Sequence, residues 1–403
     1  MYRYTTEDTA SPTAPDPGPF RRDRPTVLAY GAIACFAFWI YAFGPALTLL
    51  RAELGFSYTL LGVYSAVWSG GAALSGALFP LAARRLRRPV LLWSSSAGTV
   101  AGAGLFALGP GTGPTLAGAA VLGLAGTTLL TVAQAVLSDR HGARRDRALA
   151  EANTGAGVCA VLAPLALGAL AAGPAGWEGA FALPVVGLLV LAVRHRRVPL
   201  PAPASGSAGQ VRGRLPLACW LFAGLVAVGM GAEFCLVYFG AELLVEGGLS
   251  VTAAATAMSS FYLGILAGRV GGAVATRRPG RTVALLHASL ATTTVGFALS
   301  WLAGHPAVAV AGLLVAGLGV ANLYPLSLAL TLGAAGARED RANARTQLLG
   351  GLLVVVAPYL LGSLADRVGL TAAFAVVPAL VALCAVLLVA GLRAGRWGTV
   401  AAE

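Results

Sequence analysis

Runs of about twenty apolar residues, each closed by arginines or by Gly/Pro clusters, recur along almost the whole of this sequence. A helix of that length crosses the ~30 Å hydrocarbon core of a bilayer. Within the core a helix satisfies its own backbone hydrogen bonds, which an open strand cannot do. The breaks predict spans at 26–50, 58–82, 89–109, 113–137, 149–172, 177–193, 215–242, 251–275, 282–303, 306–333, 344–364 and 370–392. Charged side chains make up 11% of the 403 residues and apolar ones 57%. A soluble domain carries roughly 25% charged residues, so too little polar surface is left to wrap a water-soluble globule. Disorder is excluded as well, because disordered chains combine low hydrophobicity with high charge. The expected fold class is an all-α membrane protein with twelve transmembrane helices.

The formal net charge is +12, and every basic residue is an arginine. In a soluble protein such a charge would suggest nucleic acid. Here the arginines sit between apolar runs, where they orient a chain in the bilayer, and no nucleic-acid partner is expected. With the N-terminus inside, the inner loops hold Arg84, Arg85, Arg87 and Arg88, then Arg140, Arg144, Arg145 and Arg147. Further inner clusters are Arg194 to Arg214, Arg277 to Arg281, Arg338 with Arg341, and Arg393 with Arg396; the outer loops hold only Arg51 and Arg367. Both termini are therefore expected in the cytoplasm of a multi-pass plasma-membrane protein. The first run is too long for a signal-peptide core and is expected to remain as the first span. All five cysteines lie inside apolar runs with neither metal nor disulfide spacing, and no cofactor is expected.

Residues 194–214 are rich in Pro, Gly, Ser and Arg and cannot support a packed core. The expected organisation is a disordered N-terminus over 1–25, six helices over 26–193, a cytoplasmic linker over 194–214, six helices over 215–392, and a tail over 393–403. The halves repeat. An offset of 193 pairs Glu53 with Glu246, Ser57 with Ser250, Gly71 with Gly264, and Arg84 and Arg85 with Arg277 and Arg278. An offset of 194 pairs Gly123 with Gly317, Asp146 with Asp340, Pro164 with Pro358, and Gly168 with Gly362. Duplicated helix bundles joined by a linker are an arrangement of rocking transporters, with the site between the halves.

On these grounds the chain resembles the major facilitator superfamily after residue 25. That family's loop between helices two and three looks like Gly-x-Leu-Ala-Asp-Arg-x-Gly-Arg-Arg. FPLAARRLRR (Phe79 to Arg88) keeps Leu81, Ala82, Arg84, Arg87 and Arg88 of it, and GAVATRRPGR (Gly272 to Arg281) is its partner in the second half. Ala83 and Thr276 stand where the acid would be. A closer literal match, GSLADRVG (Gly362 to Gly369), falls outside the cell by helix count, so Asp366 and Arg367 are expected in a solvated turn. The resemblance implies that helix two lies by eleven and helix five by eight. It thereby implies a cytoplasmic gate of crossed ion pairs, Arg84 and Arg85 with Asp340, and Arg277 and Arg278 with Asp146. The plainer alternative is that these arginines only set topology.

Glu233 is the acid deep within a span, nine residues before Glu242. A charge at such depth is expensive, so it faces a cavity or a partner. Glu233 is therefore the leading candidate for proton coupling or substrate contact; the plainer alternative is a protonated carboxyl bonded to a neighbouring helix. The resemblance implies that helices one, four, seven and ten line the central cavity, which would give substrate contacts to Trp39, Tyr41, Gln134, Tyr238, Asn322 and Tyr324. A mostly neutral, aromatic lining suits a small, modestly polar organic solute. Arg269 is expected to reach the arginine-rich side by snorkelling, with substrate contact as the alternative.

A membrane-embedded acyltransferase is the rival class, resting only on the spacing of His141 and Asp146. The expected function is therefore not enzymatic. It is secondary transport of a small organic molecule by a monomer, coupled to protons, with a lean toward efflux that the resemblance implies. Exporters of the family often carry a Gly-Pro-x-x-Gly-Gly element on helix five where this chain has APLALG (Ala163 to Gly168). Proton-coupled uptake is the alternative.

Overall fold

The computed structural model describes residues 20–201, 214–278 and 280–400, with side chains as far as 395. Among the described residues, ten continuous helical runs are long and apolar enough to cross a membrane. Two of them, Thr112–Ala171 and Pro306–Val368, contain 60 and 63 residues. At 1.5 Å per residue such a run would be about three times the hydrocarbon thickness if straight. Each is cut midway by a single 3₁₀ turn, Gly142–Arg144 and Gly336–Arg338. The first residue of each turn is a glycine at φ 49° and 56°, a left-handed conformation that glycine adopts without strain. Dividing the runs there gives the twelve spans.

The first three are Arg24–Leu54, Tyr58–Arg85 and Arg88–Leu108. The fourth joins Thr112–Val121 to Thr127–His141 through a π-helical turn, and the fifth and sixth are Arg145–Ala171 and Glu178–His195. The seventh to ninth are Leu217–Glu246, Val251–Ala275 and Thr282–Trp301. The tenth comprises Pro306–Val320 and Leu323–Ala335, the eleventh is Glu339–Val368, and the twelfth comprises Leu370–Ala373 and Val376–Val400.

Local signals fix several ends. Asp23 caps the first span, accepting from the Thr26 amide at 3.2 Å, with Pro25 in the first turn. The repeat-paired serines Ser57 and Ser250 cap the second and eighth spans through the amides of Leu60 and Ala253, at 3.2 and 3.3 Å. The expected disordered N-terminus lies outside the described residues up to 19, but its end is tied down. Phe20 stacks on His141 with centroids 4.5 Å apart, and Arg22 Nε donates to Glu151 at 2.9 Å. Residues 202–213 of the expected linker, and 401–403 of the tail, also lie outside the described residues.

The two halves pack internally by the same device. A Cβ on Gly71 would strike the Ala120 carbonyl, and one on Gly264 the Leu314 carbonyl. Gly123 meets the Trp68 carbonyl as Gly317 meets that of Phe261. Small residues at such crossings let backbones approach closely, and close packing is the main attraction available to helices in lipid. The matched acids keep matched duties: Trp177 Nε1 donates to Glu53 at 2.6 Å, and Thr371 Oγ1 donates to Glu246 at 2.7 Å. Each pair ties the last residues of one span to the start of the span five later.

Between the halves, the second span runs along the eleventh and the fifth along the eighth, while the first crosses the seventh and eighth. The residues of these six spans build the site.

Candidate functional site

Contacts across the halves gather at the end opposite the arginine clusters. The Asp366 carboxylate, at the end of the eleventh span, accepts from the backbone amides of Tyr58 and Thr59 at 2.9 and 2.7 Å. With Ser57 on Leu60, the first three free amides of the second span are thereby satisfied, two of them by the other half. Arg51 of the first span donates to Glu242 of the seventh at 3.1 Å, and its guanidinium lies 3.8 Å above the Tyr58 ring. The Tyr58 hydroxyl reaches Glu246 at 3.4 Å. Glu242 is only 2% exposed. Gly62 fits against the backbone of Tyr359, and Gly362 against that of Tyr58. This end is sealed by charge and by close backbone contact.

Toward the arginine-rich end the same helices separate. In the second span every residue over 73–78 except Ser75 is exposed, as is every residue over 269–274 of the eighth except Gly272 and over 343–348 of the eleventh except Thr346. That is more of each helix than a single lipid-facing side accounts for. A cleft therefore opens at this end and ends beneath the seal.

At its apex the first and seventh spans cross at Gly44, where a Cβ would strike the Val237 carbonyl. Tyr41 and Glu233 both lie about one turn from that crossing on the cleft side. Tyr41 meets Tyr262 of the eighth span edge to face, with ring centroids 5.1 Å apart. Arg269, two turns along the eighth span from Tyr262, brings its guanidinium to the Tyr41 hydroxyl and its charge within reach of Glu233. Arg269 thus turns inward to the cleft rather than snorkelling away. The Tyr262 hydroxyl is buried without a hydrogen-bond partner among the described residues. Phe234 and Tyr238 pack beside Glu233 with ring centroids 5.8 Å apart, and Tyr238 contacts Phe43 at 6.1 Å.

The other expected contacts are dispersed. Trp39 is fully buried and donates to the Phe181 carbonyl at 3.1 Å, facing the sixth span rather than the cleft. Asn322 donates to the Gly268 carbonyl at 2.9 Å and so joins the tenth span to the eighth where the tenth is broken. Tyr324 accepts from Gln347 of the eleventh span at 3.1 Å. Gln134 is half-buried, with no hydrogen-bond partner among the described residues. Tyr41, Tyr238 and Glu233 come together; Trp39, Asn322 and Tyr324 do not join them.

The family model of the Major Facilitator Superfamily matches residues 28–339. The chain belongs to that superfamily. No curated protein matches the sequence. Among solved structures, the peptide transporter POT in complex with sulfate is similar at 16% identity, covering 93% of this chain and 95% of its own, with a TM-score of 0.74. The nucleoside transporter NupG is similar at 15% identity, 92% and 98% coverage and a TM-score of 0.68. A bacterial homologue of the human lysosomal transporter Spinster, inward-facing and occupied, is similar at 16% identity, 94% and 98% coverage and a TM-score of 0.69. At such identities the likeness establishes the fold. Family and neighbours make this a membrane transporter, not an enzyme. The rival acyltransferase pair has other duties: His141 Nε2 bonds the Thr26 hydroxyl at 2.9 Å, and the Asp146 side chain is 91% exposed.

Two residues of this superfamily member escaped the sequence reading. Asp366, expected in a solvated turn, holds the second span across the halves. Glu242, nine residues nearer the end of the span, is the deeply buried acid among the described residues, while Glu233 is half-buried. The signal for Asp366 was present in GSLADRVG, and helix count alone concealed that an acid at that end could cap the neighbouring half. Of the six expected gate residues, Asp146 pairs with its neighbour Arg145, at 3.8 Å. Arg84, Arg85, Asp340, Arg277 and Arg278 lie at the open end of the cleft and are exposed.

Proposed function

We propose that this chain is a secondary transporter that moves a small organic solute by alternating access, coupled to protons through Glu233. The single observation that carries this reading is a cleft sealed at one end, open at the other, with a half-buried carboxyl at its apex. Reading the arginine-rich end as cytoplasmic, by the positive-inside rule, makes this conformation inward-open in the plasma membrane, with both termini inside. A carboxyl at that depth changes its charge only when the cleft admits water, which ties its proton to the open state. Tyr41 and Tyr238 are the proposed aromatic walls for the solute. Trp39, Gln134, Asn322 and Tyr324 remain candidates for contacts in other conformations, and the working unit is proposed to be a monomer.

We also propose the cytoplasmic latch: in the outward-open state Arg84 and Arg85 would meet Asp340, while Arg277 and Arg278 would meet Asp146. Among the described residues no ion pair joins Arg84 or Arg85 to Asp340, or Arg277 or Arg278 to Asp146, in this conformation, which is what a latch requires of its open side.

Direction has two readings. The proline element of the fifth span favours efflux by antiport. The presence of Arg269 beside Glu233 favours symport, because a proton on the acid frees the arginine for an anionic solute. Reconstitution into proteoliposomes with an imposed pH gradient tests the coupling. Glu233→Gln is expected to abolish gradient-driven accumulation while solute exchange without a gradient persists. Full gradient-driven transport by Glu233→Gln would refute it.

A further inference from the structure

We infer that Arg269, with the hydroxyls of Tyr41 and Tyr262, forms an anion-binding subsite at the cleft apex, for an organic monoanion carrying an apolar body. The inference rests on the transporter reading above and adds the chemical class of the solute.

Three observations carry it. First, register: Tyr262 and Arg269 are seven residues apart, so they share one face of the eighth span. The Tyr41–Tyr262 ring contact at 5.1 Å fixes that face against the first span at the apex. Second, exposure: the Arg269 side chain is exposed while its guanidinium reaches the Tyr41 hydroxyl of the first span, so it is open on the cleft side rather than toward lipid. Third, an orphan: the Tyr262 hydroxyl is buried, 1% exposed for the residue, and unpartnered. A buried hydroxyl without a partner costs about 1–3 kcal/mol. An anion seated on Arg269 would supply the missing acceptor.

The charge count sets the class. One guanidinium meets one carboxyl, Glu233, across the apex. With the carboxyl ionised, the two charges compensate each other. With it protonated, the guanidinium is left without a counter-charge at the apex, and a monoanion restores neutrality. A dianion would exceed the available charge, and a cation would be repelled. The groups facing this pair are the phenols Tyr41, Tyr238 and Tyr262, which add no charge. Phe234 and the ring of Tyr41, both half-buried, offer the apolar wall for the body. Guanidinium geometry suits a planar carboxylate or a sulfonate, which it can grip with two donors.

The experiment uses purified full-length protein and probes that share one ring: benzenesulfonate and benzoate as anions, benzenesulfonamide as the neutral analogue, and benzyltrimethylammonium as the cation. Binding is read as a ligand-dependent rise in Tm. The anions are expected to stabilise the wild type, and the neutral and cationic probes to do so far less. Arg269→Gln should lower the apparent affinity for benzenesulfonate by about tenfold or more. Arg269→Lys should retain part of it, which separates lost charge from misfolding. Tyr262→Phe should weaken binding less than Arg269→Gln. Benzenesulfonate does not titrate, so its binding should tighten on acidification in the wild type and become pH-independent in Glu233→Gln. Equal binding of the cation or the neutral probe, anion binding that survives Arg269→Gln, or no anion binding at any pH would each overturn the subsite. Gradient-driven transport lost in Glu233→Gln without any anion binding would overturn the subsite alone. Arg269-dependent anion binding with no gradient dependence would overturn the coupling alone.

Discussion

Removing the Asp366 carboxylate should loosen the sealed end by a calculable amount. Its two oxygens accept from the amides of Tyr58 and Thr59 at 2.9 and 2.7 Å, at the positive end of the second span's dipole. Asp366 is exposed, so water replaces it at both amides when the seal opens. The net loss is then that of a helix cap, about 1–2 kcal/mol, rather than that of two buried bonds. This free energy exists only in the sealed conformation, so Asp366→Ala should raise the population open at that end about five- to thirty-fold. Asp366→Asn, which keeps an acceptor without the charge, should fall between. Thr48 supplies the reporter: it is 2% exposed and lies within the sealed end of the first span. In Thr48→Cys, labelling by a membrane-impermeant maleimide from outside requires opening, so its rate should rise by the same factor when Asp366→Ala is added. The parent protein without Thr48→Cys supplies the background of the native cysteines. An unchanged labelling rate would refute the assignment of Asp366 as a clamp between the halves.

The remaining predictions concern other ion pairs. Arg51→Ala leaves the buried Glu242 carboxyl without its cation and should destabilise the sealed conformation by about 3 kcal/mol, with Arg51→Ala/Glu242→Gln recovering part of the loss; both are read by the same labelling rate. For the proposed latch, Arg84→Ala and Asp340→Ala should show non-additive effects on transport, and additivity would remove the pair. Asp23 joins the first helix cap to Arg140, which donates at 2.6 Å. Burial works to raise the affinity of its carboxyl for a proton, but hydrogen bonds from Thr26 and Arg140 outweigh it and hold the pKa below the usual range. The stability it contributes is therefore present above the ordinary carboxylate range and is lost as pH falls through the lowered value. Asp23→Ala should cost about 1 kcal/mol in chemical denaturation near neutral pH, and the gap to wild type should close on acidification.

Spans, loops and the duplication were legible in the amino-acid order because hydrocarbon imposes a length and a polarity on each helix independently of its neighbours. The paired glycines show this best: Gly71 and Gly264 were matched by offset, and each proves to sit where a backbone carbonyl from another helix leaves room for no side chain. Which polar group faces the cleft was not legible. Spans such as the seventh are apolar all round, so no stripe marks the side that meets another helix. Trp39 and Tyr41 are neighbours in sequence, yet one donates to the sixth span and the other meets the eighth. Arg269 looked like a snorkelling residue because its distance along the chain to the next arginines was visible and its direction was not. Glu242 and Asp366 depended on residues of the opposite half, nearly two hundred or more positions away.

The order of residues thus determined twelve helices and the repeated pattern that pairs the glycines and acids of the two halves. Rotation of each helix against its neighbours, and the side on which the bundles close, came only with tertiary packing. Insertion is settled helix by helix against lipid, whereas a charge finds its partner only after two distant surfaces have met.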